Sequence, residues 1–419
     1  MTSSSRDNPK SPSPDAKASL RHALLEATLR MAYEDGFDGV SLRSVSAQVG
    51  KSTTVIFQHF GGRQGLIDAA LDHAVAGERQ RHDALLAELG GFPQEPAALT
   101  ELVAYYVLAA DASLTARFCL EATLRAEQLT DPAPRVRAWR DIRSTFWAAA
   151  APASSPSHIH LLADYTIMEQ AFCTALRCEP AYDQLLRATA RAACTRRIAA
   201  DPEADNPILA WARAAAFPEP DGQAEGAAPM EPLLATVAQR IAAEDIDGIN
   251  LRRIAMEEGV PPSLIIYHYG DFAAFLSAAI WRAMMHELPG YLDRSHRTDD
   301  EARAGWLDGL QAAVDPVPGE GSRGFYVRYA RILGQVCLLA RQRGELVQLV
   351  RQLRAIEGMG IHHASLTAWP REHRLDPAAA STFSIWIKAH ALARIGAPTP
   401  PDSPGEMVAV LRALTDSVS

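Results

Sequence analysis

Residues 50–60 read Gly50-Lys51-Ser52-Thr53-Thr54-Val55-Ile56-Phe57-Gln58-His59-Phe60, and the first four letters, GKST, are those that end a phosphate-binding loop. Such a loop needs a glycine five residues before Gly50, where the backbone folds round the phosphates, and a strand leading into it. Val45 stands at that place. Leu42, Val45, Ser46 and Val49 fall at helical spacing behind Ser41, so the preceding stretch predicts a capped helix, not a strand. A related stretch at Gly259 continues Val260-Pro261-Pro262 and has no lysine. The phosphate-loop reading fails on all three counts.

The same letters predict a helix-turn-helix. Ser41 caps a short helix running to about Val49, and Gly50 supplies the left-handed residue that ends it. Ser52 is then placed to cap a second helix over 53–59, with Val55, Ile56 and Phe60 packing inward. A three- or four-residue turn containing glycine between short helices is the geometry that presents the second helix to a DNA major groove.

The phrase recurs. With a shift of 209 residues, DGVSLRSVSAQVG (38–50) falls on DGINLRRIAMEEG (247–259) without a gap. Asp38/Asp247, Gly39/Gly248, Leu42/Leu251, Arg43/Arg252, Gly50/Gly259, His59/His268 and Gly61/Gly270 are identical pairs, and apolar character persists at Val45/Ile254, Val55/Leu264, Ile56/Ile265 and Phe60/Tyr269. A repeat of so long a period predicts two copies of one domain and not a solenoid.

The rest of the chain reads as helix. Leu66, Ile67, Ala70, Leu71, Ala74 and Val75 share a face, as do Leu102, Val103, Tyr106, Val107 and Ala110, and then Phe325, Tyr329, Ile332, Leu333 and Val336. Convincing alternating strands are absent, so the fold class is all-α. At 419 residues the chain exceeds what one core usually serves. A Pro-, Gly- and acid-rich run at 216–229 predicts a linker that divides it nearly in half. Pro152-Ala153-Ser154-Ser155-Pro156 predicts a loop inside the first half.

With 48% hydrophobic and 22% charged residues, the composition is that of a soluble globular protein. The net charge of −9 advertises no nucleic acid, so any basic surface must be local. No apolar run reaches the length of a membrane span, and MTSSSRDNPKSPSPD has no signal-peptide core; a disordered arm over 1–16 and a cytoplasmic protein are expected. Cys119, Cys173, Cys178, Cys194 and Cys337 are odd in number with no CxxC pair, which fits neither a disulfide framework nor a zinc site. His362-His363 is a metal pair in letters only, because adjacent helical residues do not face each other. No spacing suggests catalysis or a cofactor.

The helix over 20–34, Gly36-Phe37, Ser41-Leu42-Arg43, Gly50-x-Ser52, Phe57-x-His59-Phe60, Arg63 and Leu66 together resemble the DNA-binding domain of the TetR family of bacterial regulators, over about residues 18–75. Residues of about 229–282 resemble the same domain more weakly. The resemblance implies a first head (17–75), a first helical regulatory domain (76–215), the linker, a divergent second head (230–282) and a second regulatory domain (283–419).

It also implies roles. Thr53, Thr54, Phe57, Gln58 and His59 would lie on the recognition helix, where Gln can bond adenine bidentately and Thr can meet the thymine methyl. Lys51, Ser52 and Thr53 suit phosphates at the helix start, Arg43 could reach the backbone, and Arg63 stands where the family usually places a phosphate-binding lysine. His59 is equally suited to packing against its own helices.

The second copy departs from this pattern. Pro261 and Pro262 replace Ser52 and Thr53, Ile266 stands for Phe57, and Phe272 replaces Arg63, although Arg252, Arg253, Ser263, Tyr267 and His268 remain as candidate DNA contacts. From Lys17 to Leu66 six Lys/Arg face four Asp/Glu, whereas from Pro229 to Phe272 three face seven. Phosphate neutralisation supplies most nonspecific affinity, so the second head should bind DNA poorly alone.

Helices near 156–178 with 181–199, and 377–395 with 404–417, are the expected partners in an intramolecular pseudo-dimer. A small apolar effector would lie among Tyr105, Tyr106, Phe118, Trp139, Trp147, Tyr326, Tyr329 and Trp369, though core packing is the better reading for most of these. The pairs Tyr105-Tyr106 and Phe146-Trp147 should each turn one ring off the core face. The expected function is a ligand-responsive repressor that reads a double-stranded operator, an imperfect palindrome, with two unequal heads. An interaction or ligand-sequestering scaffold with a degenerate second head is the alternative.

Overall fold

The computed structural model describes residues 14–126, 129, 132–195, 206–217, 230–243, 246, 249–285, 305–315, 324–395 and 403–415. Most of the expected N-terminal arm and of the 216–229 linker lies outside these. All regular structure among the described residues is helical. In the first half the helices are α1 (Pro14–Gly39), α2 (Leu42–Gln48), α3 (Thr53–Phe60), α4 (Arg63–Glu88), α5 (Pro96–Asp111), α6 (Leu114–Leu124), α7 (Ala133–Ala150), α8 (Pro156–Leu176), α9 (Pro180–Cys194) and α10 (Pro207–Ala216). The second half contributes α11 (Glu231–Ala243), α12 (Leu251–Glu257), α13 (Pro262–Tyr269), α14 (Phe272–Met285), α15 (Trp306–Ala313), α16 (Phe325–Gln342), α17 (Val347–Ala355), α18 (Met359–Thr367), α19 (Pro377–Ala393) and α20 (Ser403–Thr415).

Local chemistry sets many of these ends. Ser155-Pro156, Asn206-Pro207 and Asp376-Pro377 each place a capping side chain before a proline at the first helical position. The side-chain oxygen accepts from free N–H groups of the first turn, and proline has no N–H to leave unsatisfied there. The first helix is longer than the predicted 20–34 and is broken near its end at Gly36, where φ is 73°.

The body is centred on two helices buried on every side, α8 from the first half and α19 from the second, and they pack on each other. Around them, α5, α7, α9, α16, α17 and α20 contact α8, while α9, α16 and α18 contact α19. An all-round buried helix must find partners for every polar side chain it carries. From α7, Arg140 takes both oxygens of Asp164 on α8 (3.1 and 2.6 Å), and Arg143 reaches Thr166 (2.7 Å) and Gln170 (3.2 Å). Glu169 is met from the other half by Arg354 at 2.6 Å. Two further bonds cross between the halves, Thr382 Oγ1 to Thr189 O (2.9 Å) and Thr174 Oγ1 to Cys337 O (3.2 Å).

Helix α10 adds a crossing that sequence periodicity did not assign: it lies on α17, with Arg213 Nε donating to Ala355 O and Gln348 Nε2 to Ala216 O. Ala216, placed by sequence at the start of the linker, is instead the buried last residue of this helix. The five cysteines are free thiols, four of them buried.

Candidate nucleic-acid interface

The turn between α2 and α3 forms as its letters suggest. Ser41 and Ser44 cap α2 reciprocally, with Ser44 N donating to Ser41 Oγ (3.0 Å) and Ser41 N to Ser44 Oγ (3.2 Å). Gly50 sits at φ 66°, and Lys51 N closes the turn onto Ser46 O at 2.8 Å. Ser52 occupies the N-cap position of α3, but its hydroxyl makes no cap bond. Its own carbonyl accepts from Val55 N at 3.1 Å instead, which leaves the exposed hydroxyl free for another acceptor or donor.

Ile56 is buried against the core and Val55 and Phe60 are half-buried. Arg43, Lys51, Ser52, Thr53, Thr54, Phe57 and Gln58 are all exposed, so one surface holds a cation at the helix start, three hydroxyls, a phenyl ring and an amide. His59 is half-buried, its ring 6.0 Å from that of Phe60.

Arg63 does something the sequence did not announce. Its Nε donates to Val40 O at 2.8 Å and a terminal nitrogen donates to Phe37 O at 2.7 Å, so it joins the start of α4 to carbonyls in the last turn of α1 and just beyond it. The head is tied to the body through the same turn. Phe37 N donates to Glu121 Oε1 (2.6 Å), and Arg125 of α6 donates to Asp38 Oδ2 (3.0 Å). Beside these bonds lies a cavity of about 460 Å³, walled by Asp35, Gly36, Arg117 and Glu121, by Gln335 of α16 and by Arg343 just past its end.

In the second half α12, α13 and α14 begin 209 residues after α2, α3 and α4, and α12 and α13 also end in register. The backbone bonds repeat with them. Val260 N donates to Ala255 O (3.0 Å), Gly259 has φ 65°, and Gly270 N donates to Ile266 O (2.8 Å) as Gly61 N does to Phe57 O (2.9 Å). Asn250 takes over from Ser41, its Oδ1 accepting from Arg253 N at 2.9 Å.

The surface is different. Tyr267 is 83% exposed, Met256 77% and Leu264 37%, so larger apolar side chains stand where the first copy has Gln58, Ala47 and Val55. Arg252, Arg253 and Ser263 are exposed and His268 is half-buried. Glu257 accepts from Arg253 (2.9 Å) and also pairs with Arg240, and the hydrogen bond from Arg253 leads in holding its carboxyl below the usual range. Phe272, in the place of Arg63, tilts against Phe275 with ring centroids 6.2 Å apart.

The aromatic residues assigned to an effector are mostly core. Tyr106, Phe118, Trp139, Trp147, Tyr326, Tyr329 and Trp369 are buried, and Tyr105 alone is exposed. Phe146 and Trp147 are both buried, against the expectation that one would turn outward, because α4, α6 and α8 all pack on α7. Tyr106 stacks on Phe146 (5.1 Å) and its hydroxyl bonds His82 Nε2 at 2.6 Å. None of these residues lines the polar cavity or the more apolar one of about 650 Å³ beside Leu234, Trp281, Met285 and Leu349.

The first turn, with its capped α2, glycine corner and exposed α3, is a helix-turn-helix unit. Residues 24–70 match the family model described as "Bacterial regulatory proteins, tetR family". Curated relatives include the HTH-type transcriptional regulators BetI of Burkholderia thailandensis, Burkholderia cenocepacia and Burkholderia ambifaria. Each is 36% identical over 55 residues, which is 13% of this chain and 28% of the relative. The chain thus spans little more than a quarter of the length of these relatives. The likeness supports a TetR-type DNA-binding domain at this end of the chain. No single helix among the described residues is long and apolar enough to cross a membrane.

Proposed function

We propose that the chain is a transcriptional regulator that represses by holding two unequal helix-turn-helix heads on one double-stranded operator. The exposed face of α3 carries the reading. Lys51, Ser52, Thr53, Thr54 and Gln58 offer a phosphate-binding start and base-reading side chains on a helix whose opposite face is anchored by Ile56. On this reading residues 17–215 and 230–419 are two tandem units in an internal pseudo-dimer. The shared register of α2–α4 with α12–α14, and the packing of α8 and α9 on α19, support it. Two heads with different side chains would read an imperfect palindrome, because the half-sites meet unlike helices.

Ligand response follows from the polar cavity beside Phe37 and Asp38. A small molecule bound between α6 and α16 bears on the bonds that tie the first head to the body, and so on the spacing of the heads. The cavity's mixed charges favour a polar effector over the apolar one expected from the aromatic residues.

The test is a gel shift against the region upstream of the chain's own gene. Lys51→Ala should weaken all sequences alike and reduce the salt slope by about 1, whereas Gln58→Ala should cost about 1–3 kcal/mol on preferred sequences and relax preference there. Absence of binding at low salt overturns the reading. The exposed Met256, Leu264 and Tyr267 favour a second reading for the second head alone, as a protein-facing surface. If Tyr267→Ala leaves operator affinity unchanged, that head does not read DNA.

A further inference from the structure

His160 and Asp164 lie one turn apart on α8, His390 lies on α19 and Glu406 on α20, so three helices from both halves of the chain converge on one point. The donor atoms of His160, Asp164 and His390 are all within 4.8 Å of one another. His160 Nε2 is 3.0 Å from Asp164 Oδ2, His160 Nδ1 is 3.9 Å from Glu406 Oε1, and His390 Nδ1 is 3.6 Å from Glu406 Oε2. Four donors round a tetrahedral zinc ion, with bonds of about 2.0–2.1 Å, stand roughly 3.3 Å apart; His160, Asp164 and His390 already form a group of that scale, and Glu406 borders it through the other nitrogen of His160 and through His390. Closing on an ion needs side-chain rotation, chiefly of His160, which can offer one nitrogen only.

Two further observations point to a ligand. Glu406 Oε2 is buried and accepts no hydrogen bond, a costly position for a carboxylate oxygen. The indole of Trp386 lies nearly flat on His390 at 4.8 Å and covers one side of the cluster. The positive charges facing it are Arg140 and Arg394. Arg140 grips both oxygens of Asp164, and a terminal nitrogen lies 3.4 Å from His160 Nε2. Carboxylate oxygens keep a second lone pair, so Arg140 suits the outer partner that fixes a ligating carboxylate.

From this geometry we propose that His160, Asp164, His390 and Glu406 bind one divalent first-row transition metal, with Zn²⁺ the best match to two imidazoles and two carboxylates in a compact site. The ion ties α8 to α19 and α20. It stabilises the packing between the halves in proportion to its occupancy, whether or not the chain reads DNA. A looser cluster, His22, Glu26 and His73 on α1 and α4, is more exposed and serves as the internal control.

The chelator-stripped full chain is titrated with Co²⁺, followed by visible ligand-field absorption, and with Zn²⁺ in competition with a chromophoric chelator. One equivalent per chain with tetrahedral Co²⁺ bands is expected, together with a metal-dependent rise in Tm. His390→Ala and Glu406→Gln should weaken binding by at least about 100-fold, more than the roughly 10–100-fold typical of losing an outer partner. His22→Ala should leave it unchanged. Should His390→Ala fail to fold, the partly exposed Glu406 still gives the test. Binding lost in His22→Ala but retained in Glu406→Gln, or no Co²⁺ bound at micromolar concentrations, overturns the proposal.

Discussion

Replacing Arg354 by methionine should loosen the chain where its halves meet. The Arg354 and Glu169 side chains are 1% and 0% exposed and 2.6 Å apart, one from each half. Arg354 also donates to Thr189 Oγ1 (3.1 Å) and Ser381 Oγ (3.4 Å), and Glu169 accepts from the Tyr165 (3.1 Å) and Tyr182 (3.3 Å) hydroxyls. Methionine keeps much of the length and volume but leaves a buried carboxylate with no countercharge, which costs about 3–5 kcal/mol. The two tyrosine bonds remain, so the lower end, about 3 kcal/mol, is expected.

Adding Glu169→Gln removes the stranded charge while its carbonyl still accepts from the tyrosines. The double variant should therefore recover part of the loss, with a coupling of about 1–3 kcal/mol in the cycle. Urea unfolding followed by far-UV circular dichroism measures all four proteins. A loss below about 1 kcal/mol for Arg354→Met, or strictly additive single changes, would refute the claim that this pair holds the halves together.

Two other perturbations follow from buried groups. His82 Nδ1 donates to Glu78 O (2.6 Å) and Nε2 accepts from Tyr106, a neutral ring whose burial, aided by Arg81, lowers its pKa from 6.5 to about 4. The unfolded chain takes up that proton first, so the contribution is complete above pH 6.5 and is lost as pH falls towards 4, by about 1.4 kcal/mol per unit. His82→Gln should flatten stability against pH in that window. A separate loss below pH 4.5 belongs to Glu78, which burial would raise but the hydrogen bond and charge of Arg81 bring down to about 2. Gly358 has φ 84°, and a Cβ there would overlap the backbone of Ala380 and Ser381, which cannot rotate away. Gly358→Ala should lower Tm further than Gly50→Ala, where space is open and only the left-handed penalty of about 1–2 kcal/mol applies.

Short-range chemistry was readable in the sequence and long-range partnership was not. The bounds of α2 and α3 lie within a residue or two of prediction because Ser41 and Gly50 act on neighbours. The letters suit Arg63 to a phosphate, and nothing local reveals that Phe37 and Val40 also turn their carbonyls towards it. Glu121, which holds the head 84 residues away, left no trace in spacing at all. The His160–Asp164 pair is visible as an i, i+4 step, but His390 and Glu406 reach it only through packing between the halves. Periodicity places an aromatic ring on a buried face without saying whether the face is packed or hollow, so core is the better reading of Tyr106 and Trp147 in sequence without excluding a cavity.

The two turns share a backbone, so what separates them must lie in their side chains. In the first, Arg63 fastens α4 to the turn after α1 with two charged hydrogen bonds and leaves a cation close to the recognition helix. In the second, Phe272 and Phe275 occupy that joint with apolar contact, and Glu257 engages Arg240 and Arg253. Folding is preserved by either device, since each closes the same corner. Attraction to a polyanion is not, because it depends on charge left over after internal pairing. Selection for the fold alone would therefore permit either corner, whereas selection for a duplex would favour the first, with affinity falling chiefly to Lys51, Arg43 and the face of α3.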